Sequence, residues 1–344
     1  MPSSTSNFDF PNHRSPTKNW LFILGLTLVT TGLLVAGAEV FWRSRGHSPS
    51  IVDSPEFWSL NRASVSDGDP KHVVLIGASR IQLGFSTDVF RKRYSDHKIT
   101  QLAVDGQLPI ATLRDLADDK RFRGTVICSI IANGFNRSHW SDQQDSVDRY
   151  HDNDLFYQSI DKTVWAFLQS HLVVLSAHVR MDTVLKTLAS RGSFPSPNYL
   201  VTRYDRSRLA DYSLLDIEAH RKSRVESRMA SKKKNPPTPK TWMEDVGRIE
   251  QWVKQITNRG GEVVFIRFPT SDEHWKVDEE EYPKSAYWDR MAAFTSAKTF
   301  HFMDYPHLTQ FELPDTSHLD YRDSPAFTNY LLDEFEKQGI LPAQ

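Results

Sequence analysis

Five short apolar runs, most of them followed closely by glycine, asparagine or proline, constrain the fold of this chain more than any other feature. Apolar runs without polar alternation are typical of strands that are buried on both faces, as in a parallel sheet. Apolar residues at helical spacing follow in segments such as 242–256 and 327–335. This alternation predicts an α/β domain over residues 71–340. The predicted strands are residues 72–76, 99–103, 125–131, 262–268 and 299–303.

Residues 137–240 interrupt the alternation with a long stretch of mainly helical character. We interpret them as an insertion that lies over the sheet edge or over a site. Residues 221–240 are rich in Lys and Arg. This basic stretch has two interpretations. It could bind an anionic polymer or lipid head groups, or it could be a solvated helix that runs into a flexible linker, and the second interpretation is favoured. The predicted fold class is therefore a flavodoxin-like three-layer α/β/α domain with a five-stranded parallel sheet and a largely helical insertion.

An apolar segment at residues 20–42 precedes this domain. It contains no charge between Leu21 and Ala38, and Trp20 and Trp42 stand at its two ends. About 20 apolar residues in a helix cross a bilayer, and tryptophan is enriched where such helices meet water. The pattern predicts one transmembrane helix, preceded by a disordered polar tail over residues 1–19 and followed by a linker over residues 43–70.

The apolar segment has a second interpretation as a cleaved signal peptide. Ala36, Gly37 and Ala38 have the small-x-small form of a cleavage site. The apolar run is long for a signal peptide and continues beyond this site, which favours an uncleaved anchor. Basic residues flank both ends, so the flanking charges do not predict the orientation.

Charge and cysteine content exclude several function classes. The 344 residues carry a formal net charge of −1, whereas a dedicated nucleic-acid binder usually has a strong basic excess. The single cysteine, Cys128, rules out an intramolecular disulfide. His301 and His307 flank Asp304 and resemble metal ligands, but a strand-end histidine and a loop histidine are the favoured interpretation. We therefore predict no metal, no cofactor and no nucleic-acid partner.

Polar residues that follow the predicted strands are the candidates for chemistry, because ligands of such sheets bind beyond the carboxyl ends of the strands. A serine on a tight turn after a strand exposes its hydroxyl. A histidine three residues after an aspartate can take the serine proton while the aspartate orients the ring. Backbone N–H groups and an asparagine amide can converge on one oxygen as an oxyanion hole. The candidates, in chain order, are Ser79, Gly106, Asn133, Asn136, Asp315 and His318.

Each of these residues is ordinary when it is taken alone. A serine after a strand is usually a turn or helix-cap residue, and Gly106 is explained equally well by a turn that requires positive φ. The joint order, with each residue placed after a predicted strand, supports the catalytic hypothesis. Its assignments are Ser79 as nucleophile, His318 as base and Asp315 as orienting group. The oxyanion hole is assigned to Ser79, Gly106 and either Asn133 or Asn136.

This order resembles the SGNH (GDSL-like) hydrolase superfamily, whose blocks are a Ser, a Gly, an Asn and a C-terminal Asp-x-x-His. The resemblance covers residues 71–136 and 241–340, roughly half of the chain. Ala78 stands where the family usually has Asp before the serine. The third block has Asn133 and Asn136 in place of the usual Gly-x-Asn-Asp.

An anchor followed by such a domain resembles the cell-envelope members, including the DltD-like and alginate O-acetylation-related proteins. The resemblance implies a single-pass protein of the inner membrane with its domain on the periplasmic side. It also implies an acylated, notably acetylated, carbohydrate or envelope polymer as substrate, with a membrane acyltransferase as a candidate partner. The expected activity is that of a serine esterase or O-acyltransferase that forms an acyl-Ser79 intermediate. The alternative is a catalytically inactive module that binds glycan or assembles an envelope polysaccharide complex.

Overall fold

A five-stranded parallel sheet forms the centre of the protein, whose computed structural model describes residues 17–152, 155–233 and 235–343. The strand order is β2-β1-β3-β6-β7, and a separate antiparallel pair, β4-β5, lies in the insertion. The predicted parallel sheet is confirmed, with five strands in the flavodoxin-like order. The strands are β1 His72–Ile76, β2 Lys98–Gln101, β3 Thr125–Ser129, β4 Leu200–Thr202, β5 Arg208–Ala210, β6 Glu262–Arg267 and β7 Lys298–His301.

Helices cover the sheet on both faces. One face packs against α2, α5, α10 and α12, and the other packs against α4 and α14. This is the predicted three-layer arrangement. The helices are α1 Thr17–Ser44, α2 Pro55–Ser64, α3 Ser79–Gly84, α4 Thr87–Arg93, α5 Ile110–Asp118, α6 Gln144–His151, α7 Leu155–His171, α8 Met181–Arg191, α9 Ile217–Ala230, α10 Pro239–Thr257, α11 Asp272–Glu281, α12 Trp288–Phe294, α13 Pro306–Thr309 and α14 Ser324–Lys337.

The order of the strands fixes where a site can form. β1 pairs with β2 on one side and with β3 on the other, both in parallel. The connection from β1 to β2 and the connection from β2 to β3 therefore run in opposite directions across the sheet, which opens a crevice beyond the carboxyl ends of β1 and β3. The segments that follow these two strands contain Ser79 and Asn133, respectively.

The first helix, α1, agrees with the predicted membrane segment. Its Asn19–Ser44 portion is long and apolar enough to cross a membrane, by length and composition. Near its end, Trp42 packs with Val173, Val179 and Val184 of the insertion. The helix begins at Thr17, so it takes in the last residues of the predicted tail, and residues 1–16 lie outside the described part of the chain.

The predicted linker over residues 43–70 contains a helix, α2, that sequence analysis did not anticipate. Ser54 Oγ accepts a hydrogen bond from the Phe57 N–H (3.2 Å), and Pro55 occupies the first turn. Both are established helix-start signals. Trp58 is buried and donates from Nε1 to the Leu102 carbonyl (2.7 Å), which ties α2 to the end of β2. The helix is only ten residues long and its apolar residues are few, so no periodicity emerges.

The insertion is largely helical, as predicted, but it also contains the β4-β5 hairpin. Arg206, which follows β4, is buried and donates to the carbonyls of Gln101 (2.6 Å) and Ala103 (3.1 Å). The Tyr321 N–H donates to the Ala210 carbonyl at the end of β5 (3.0 Å). The hairpin is thereby held against the carboxyl edge of the sheet and against the loop that follows His318.

Candidate active site

A glycine shapes the turn that carries Ser79. Gly77 has φ +150°, and a Cβ at this position would lie 2.9 Å from the Ser129 carbonyl oxygen of the neighbouring strand. A residue with a side chain would therefore be strained and would displace β3. Ser79 is the first residue of α3, so its N–H has no acceptor within the helix. The Gln143 side chain donates from Nε2 to the Gly77 carbonyl (2.9 Å) and holds the turn from the other side.

The structure brings Ser79, His318 and Asp315 into one continuous chain of hydrogen bonds. Ser79 Oγ lies 2.8 Å from His318 Nε2. On the other side of the ring, His318 Nδ1 lies 2.8 Å from Asp315 Oδ2. With the proton on Nδ1, the ring donates to the carboxylate and presents the Nε2 lone pair to the serine hydroxyl. This is the geometry that activation of a serine by a histidine base requires.

A tight turn holds Asp315 in place. Asp315 Oδ1 accepts hydrogen bonds from the N–H groups of Ser317 (3.0 Å) and His318 (2.8 Å). Thr316, between Asp315 and Ser317, has φ +68°, which is unfavourable for a β-branched residue. The Thr316 carbonyl accepts from the Ser271 N–H (3.0 Å), so a contact outside the turn stabilises this conformation. Backbone strain of this kind costs about 1–3 kcal/mol and is concentrated at functional sites.

The electrostatic environment favours a neutral histidine beside an ionised aspartate. Burial lowers the pKa of His318, and the positive charges of Arg80 and Arg224 lower it further, although Asp315 acts in the opposite direction. Burial alone would raise the pKa of Asp315, but the hydrogen bond and charge of His318 and the Ser317 N–H outweigh it and lower this pKa. At pH 7 the imidazole is therefore unprotonated on Nε2 and available as a base.

The insertion contributes side chains to the site that sequence analysis did not identify. Arg224 of α9 places Nε 3.5 Å from Asp315 Oδ2. Burial raises the pKa of the Tyr212 phenol, and the negative charge of Asp315 raises it further. Neither residue belongs to a strand-end motif, so only the folding of the insertion onto the sheet reveals them.

The helical part of the basic stretch at residues 221–240 forms ion pairs within the protein. Arg221 pairs with Asp272 (2.6 Å), and Arg228 pairs with both Asp278 (2.9 Å) and Glu281 (2.6 Å). These acids belong to α11. None of the residues of α9 is buried, in agreement with the favoured interpretation as a solvated helix, and these ion pairs additionally dock α9 onto α11.

The two asparagines predicted to serve the oxyanion hole lie together, but their amides have other partners. Asn136 Nδ2 donates to Asn133 Oδ1 (2.9 Å) and to the Tyr282 hydroxyl oxygen (2.8 Å), which uses both of its hydrogens. Asn133 Oδ1 also accepts from Lys233 Nζ (2.6 Å). Asn133 Nδ2 lies 3.2 Å from His139 Nε2 and keeps a second hydrogen. The role of either asparagine as an oxyanion donor stays a prediction, and of the two only Asn133 keeps an unused amide hydrogen.

Gly106 lies in the loop that follows β2, on the side of Ser79. The Val104 N–H donates to the Gly77 carbonyl (3.1 Å), which joins this loop to the serine turn. Gly106 has φ +70°, and a Cβ at this position would meet nothing within 4 Å. Its left-handed backbone conformation agrees with the interpretation of Gly106 as a turn residue that requires positive φ. The role of its N–H as an oxyanion donor stays a prediction.

A cavity of about 330 Å³ lies beyond the carboxyl ends of β3, β6 and β7. Arg80, adjacent to Ser79 in the chain, contacts the wall of this cavity, because its Nη2 lies 3.0 Å from Nε2 of His274. Arg80 belongs to none of the candidate motifs in the sequence, and only its position beside Ser79 points to it. The other polar residues that line the cavity include Asn133, Arg228, Lys233, Arg267, Asp278, Glu281 and His301.

The histidines that resemble metal ligands have other surroundings. His301 is buried at the end of β7, and its Nδ1 accepts from the Met303 N–H (3.2 Å). The His307 ring stacks on Tyr330. In the described ranges, no group of three or more His, Cys, Asp or Glu side chains is arranged to hold a metal ion.

Comparisons with known proteins add little to this geometry. No protein-family model matches the chain, and no curated protein matches it. Among solved structures, it aligns with the crystal structure of TesA at a TM-score of 0.34 and 9% sequence identity, over 77% of this chain and 98% of TesA. A likeness of this size carries no argument. The fold assignment therefore rests on the sheet, and the site rests on its own contacts.

Proposed function

We propose that the protein is a serine esterase or O-acyltransferase that acts through an acyl-Ser79 intermediate. The observation that carries the proposal is the hydrogen-bonded chain from Ser79 Oγ through His318 to Asp315, with both links at 2.8 Å. The three residues come from a strand-end turn and a loop more than 230 residues apart in the chain. Convergence of these groups in the orientation of a nucleophile, a base and an orienting carboxylate supports covalent acyl transfer.

The proposed reaction proceeds in two halves. Ser79 Oγ attacks the ester carbonyl while His318 Nε2 takes the hydroxyl proton, and a tetrahedral intermediate forms. The C–O bond to the leaving alcohol then breaks, His318 gives its proton to that alcohol, and the acyl group stays on Ser79. Water or an acceptor hydroxyl next attacks the acyl-enzyme with His318 again as base, which releases the acid or the new ester.

Stabilisation of the tetrahedral oxyanion is assigned to backbone donors first. The Ser79 N–H stands at the start of α3 without a helical acceptor, and the Gly106 N–H belongs to the adjoining loop. Asn133 Nδ2 is the candidate third donor. One well-placed oxyanion donor contributes about 10²–10³-fold to kcat.

The substrate and location are proposed from the resemblance to envelope-associated SGNH hydrolases together with helix α1. We assign an acylated, notably acetylated, envelope carbohydrate as substrate, and an inner-membrane location with the domain on the periplasmic side. A membrane acyltransferase that supplies the acyl group is the proposed partner if the reaction is a transfer. The apolar stretch of α1, Asn19–Ser44, supports membrane attachment.

Turnover of 4-nitrophenyl acetate by the full-length protein in detergent tests the proposal. We expect release of 4-nitrophenol by the wild type and none above background for Ser79→Ala. Addition of a polysaccharide acceptor distinguishes the two reactions, because a transferase acetylates the acceptor whereas an esterase releases acetate. Absence of turnover by folded wild-type protein with every activated acyl ester tried would contradict the proposal.

One observation favours a second candidate, a catalytically inactive module that binds an envelope glycan. The Asn136 amide hydrogens are both used by Asn133 and Tyr282, so the third block of the resemblance lacks a free side-chain donor there. This candidate predicts glycan binding that is unchanged by Ser79→Ala, together with no turnover of activated esters. The esterase or acyltransferase assignment predicts turnover in the same samples.

A further inference from the structure

The insertion contacts α1 at the point where the apolar part of this helix ends. That apolar part is exposed, and Glu39 is the first charged residue after it. The two carboxylate oxygens of Glu39 accept hydrogen bonds from the N–H groups of Val173 (3.0 Å) and Val174 (3.1 Å). One turn later, Arg43 Nη2 donates to the carbonyl of His171 (2.8 Å). The end of α7 and the turn after it are therefore fixed against the last turns of α1.

The length of the uncharged part of α1 sets the depth of these contacts in a membrane. No charge occurs between Leu21 and Ala38. At about 1.5 Å per residue, a helix of this length covers about 27 Å, close to the roughly 30 Å of a hydrocarbon core. When α1 spans the membrane, Glu39 therefore lies where the hydrocarbon ends. The segments that contact Glu39 then lie at the level of the lipid head groups.

Helix α8 lies at the same end of the protein and has an apolar face that is only partly covered. Val184 is buried with Trp42 of α1, and Leu188 packs against the same cluster. Met181 and Leu185 extend this face, since residues three and four apart lie on one side of a helix. They are 73% and 58% exposed. An apolar stripe on one side of a helix, left exposed beside a membrane segment, is typical of a helix that lies in the membrane interface.

Aromatic and basic side chains surround the end of α1. The Phe41 ring packs against Phe194, with 5.3 Å between the ring centroids, and Phe194 is 40% exposed. The Arg45 guanidinium lies over both rings, 4.4 Å from the centroid of Phe41 and 4.8 Å from that of Phe194. Aromatic rings are enriched at the level of the head groups, where arginine can bury its apolar stem and keep its charge in water.

The segments at this end of the protein have a basic excess, although the whole chain has a formal net charge of −1. The acids of residues 39–47 and 171–195 are Glu39 and Asp182, and each pairs with an arginine, at 2.7 Å and 3.4 Å. A basic side chain close to anionic lipid contributes about 1 kcal/mol to membrane binding. The basic residues of the two segments are Arg43, Arg45, Arg180, Lys186 and Arg191.

We propose that the insertion rests in the interface of an anionic lipid bilayer through a surface formed by Phe41, Arg45, Met181, Leu185 and Phe194. Continuity with α1 and the basic excess favour lipid as the occupant of this surface. The contact goes beyond the proposed function and rests only on α1 as a membrane helix. Because α1 and α8 would then both hold the domain, rotation of the domain about α1 is restricted, and the site has a fixed orientation relative to the membrane.

Spin labels on α8 test this contact in the full-length protein, reconstituted in nanodiscs of phosphatidylcholine and phosphatidylglycerol. Single cysteines are introduced as Met181→Cys, Leu185→Cys and the control Ser190→Cys, which is exposed on the opposite side of α8. The native Cys128 is 0% exposed, so the nitroxide reagent modifies the introduced cysteine. Electron paramagnetic resonance then compares collisions with oxygen, which concentrates in lipid, and with a water-soluble nickel chelate.

The labels at Met181 and Leu185 should have a ratio of oxygen to nickel collisions at least about threefold above that of the Ser190 label, because an interfacial helix buries its apolar face by about 5–10 Å. This difference should decrease in nanodiscs of phosphatidylcholine alone, where the basic residues have no anionic lipid to bind. An equal difference in both kinds of nanodisc would contradict the recognition of anionic lipid.

A label at Leu28→Cys, in the middle of α1 and 64% exposed, reports separately on the membrane helix. If the Leu28 label lies in lipid while the α8 labels match Ser190, the surface is overturned and the anchor stands. Protection of the α8 labels from both reagents would show that a second copy covers the surface, and would overturn lipid as its occupant. A Leu28 label in water would overturn both. Ester turnover in the same nanodiscs tests the proposed function independently, since no labelled position belongs to the triad.

Discussion

Replacement of Asp315 by asparagine isolates the orienting carboxylate from the rest of the site. In Asp315→Asn, the amide oxygen can keep the two backbone N–H bonds that Asp315 Oδ1 accepts from Ser317 and His318. The amide nitrogen then faces His318 Nδ1, where the carboxylate of the wild type accepts at 2.8 Å. Two donors cannot pair, so the imidazole must move its proton to Nε2. The ring then donates toward Ser79 Oγ and cannot take the serine proton.

The expected loss in kcat for Asp315→Asn is about 10⁴-fold, the scale known for a triad whose histidine is held in the wrong tautomer. This corresponds to about 5.4 kcal/mol of transition-state stabilisation at 1.36 kcal/mol per tenfold. The fold itself should be less affected, by about 1–3 kcal/mol in the free energy of unfolding, because one charge-assisted hydrogen bond is lost. Steady-state turnover of 4-nitrophenyl acetate and thermal unfolding measure the two effects.

Asp320→Asn provides a matched control in the same loop. Asp320 is buried like Asp315 (7% and 2% exposed), and it accepts from the backbone N–H groups of Tyr212 (3.1 Å) and Arg322 (3.0 Å). Among the described residues it forms no hydrogen bond or ion pair with His318, so its replacement should lower stability by a similar amount while kcat stays within about tenfold. Equal kcat losses in the two variants, or a loss below about tenfold in Asp315→Asn, would refute the reasoning.

Three further predictions concern pH, the serine turn and the membrane. Burial and two nearby guanidinium groups lower the pKa of His318, so the acid limb of the pH profile of kcat/KM should have its midpoint below pH 6.5. A midpoint above pH 6.5 would contradict the lowered pKa. Because the pKa of His318 is lower in the folded state than in the unfolded chain, its contribution to stability is complete above the unfolded pKa, near 6.5. This contribution is lost as the pH falls through the folded pKa. Gly77→Ala should lower the free energy of unfolding by about 2–4 kcal/mol, because its Cβ would lie 2.9 Å from the Ser129 carbonyl oxygen. Denaturant titration measures this loss, and a value below about 0.5 kcal/mol would contradict the prediction by showing that the turn relaxes freely. Helix α1 should keep the full-length protein in the membrane pellet after carbonate extraction, and release into the supernatant would contradict the anchor.

The strands of the sheet could be predicted because burial on both faces produces unbroken apolar runs. Residues such as Val74 and Val126 are fully buried in the central strands, and the sequence there contains little else. The turn at Gly77 and the spacing of Asp315 and His318 were equally visible, since both depend on residues close together in the chain. Local patterns therefore sufficed for the sheet and for the identity of the candidate triad.

Long-range pairing is what the sequence did not reveal. The partner of Asn136, Tyr282, lies 146 residues away in the chain, and no local pattern indicates that it uses the asparagine amide. The approach of Arg224 to Asp315 likewise depends on how the insertion docks onto the sheet. Helix α2 was missed for a different reason, since its burial comes from tertiary contacts made by two aromatic residues rather than from an amphipathic repeat.

Arg80 is an intermediate case. It stands beside the predicted nucleophile, but an arginine at the start of a helix is ordinarily solvated, and only the structure shows that its Nε is buried without a partner. Its contact with His274 joins residues 194 positions apart. The sequence located the chemistry of the site, whereas the charge of its surroundings required the assembled fold.

Labelling with a fluorophosphonate probe tests the central claim, an activated nucleophile at Ser79, most directly. The probe is applied to the full-length protein in detergent, and the modified peptide is identified by mass spectrometry. The geometry of Ser79, His318 and Asp315 predicts one adduct on Ser79, strongly reduced in His318→Ala and retained in the control Asp320→Asn. Folded wild-type protein that is not labelled, or labelling of Ser79 that is unaffected by His318→Ala, would contradict it.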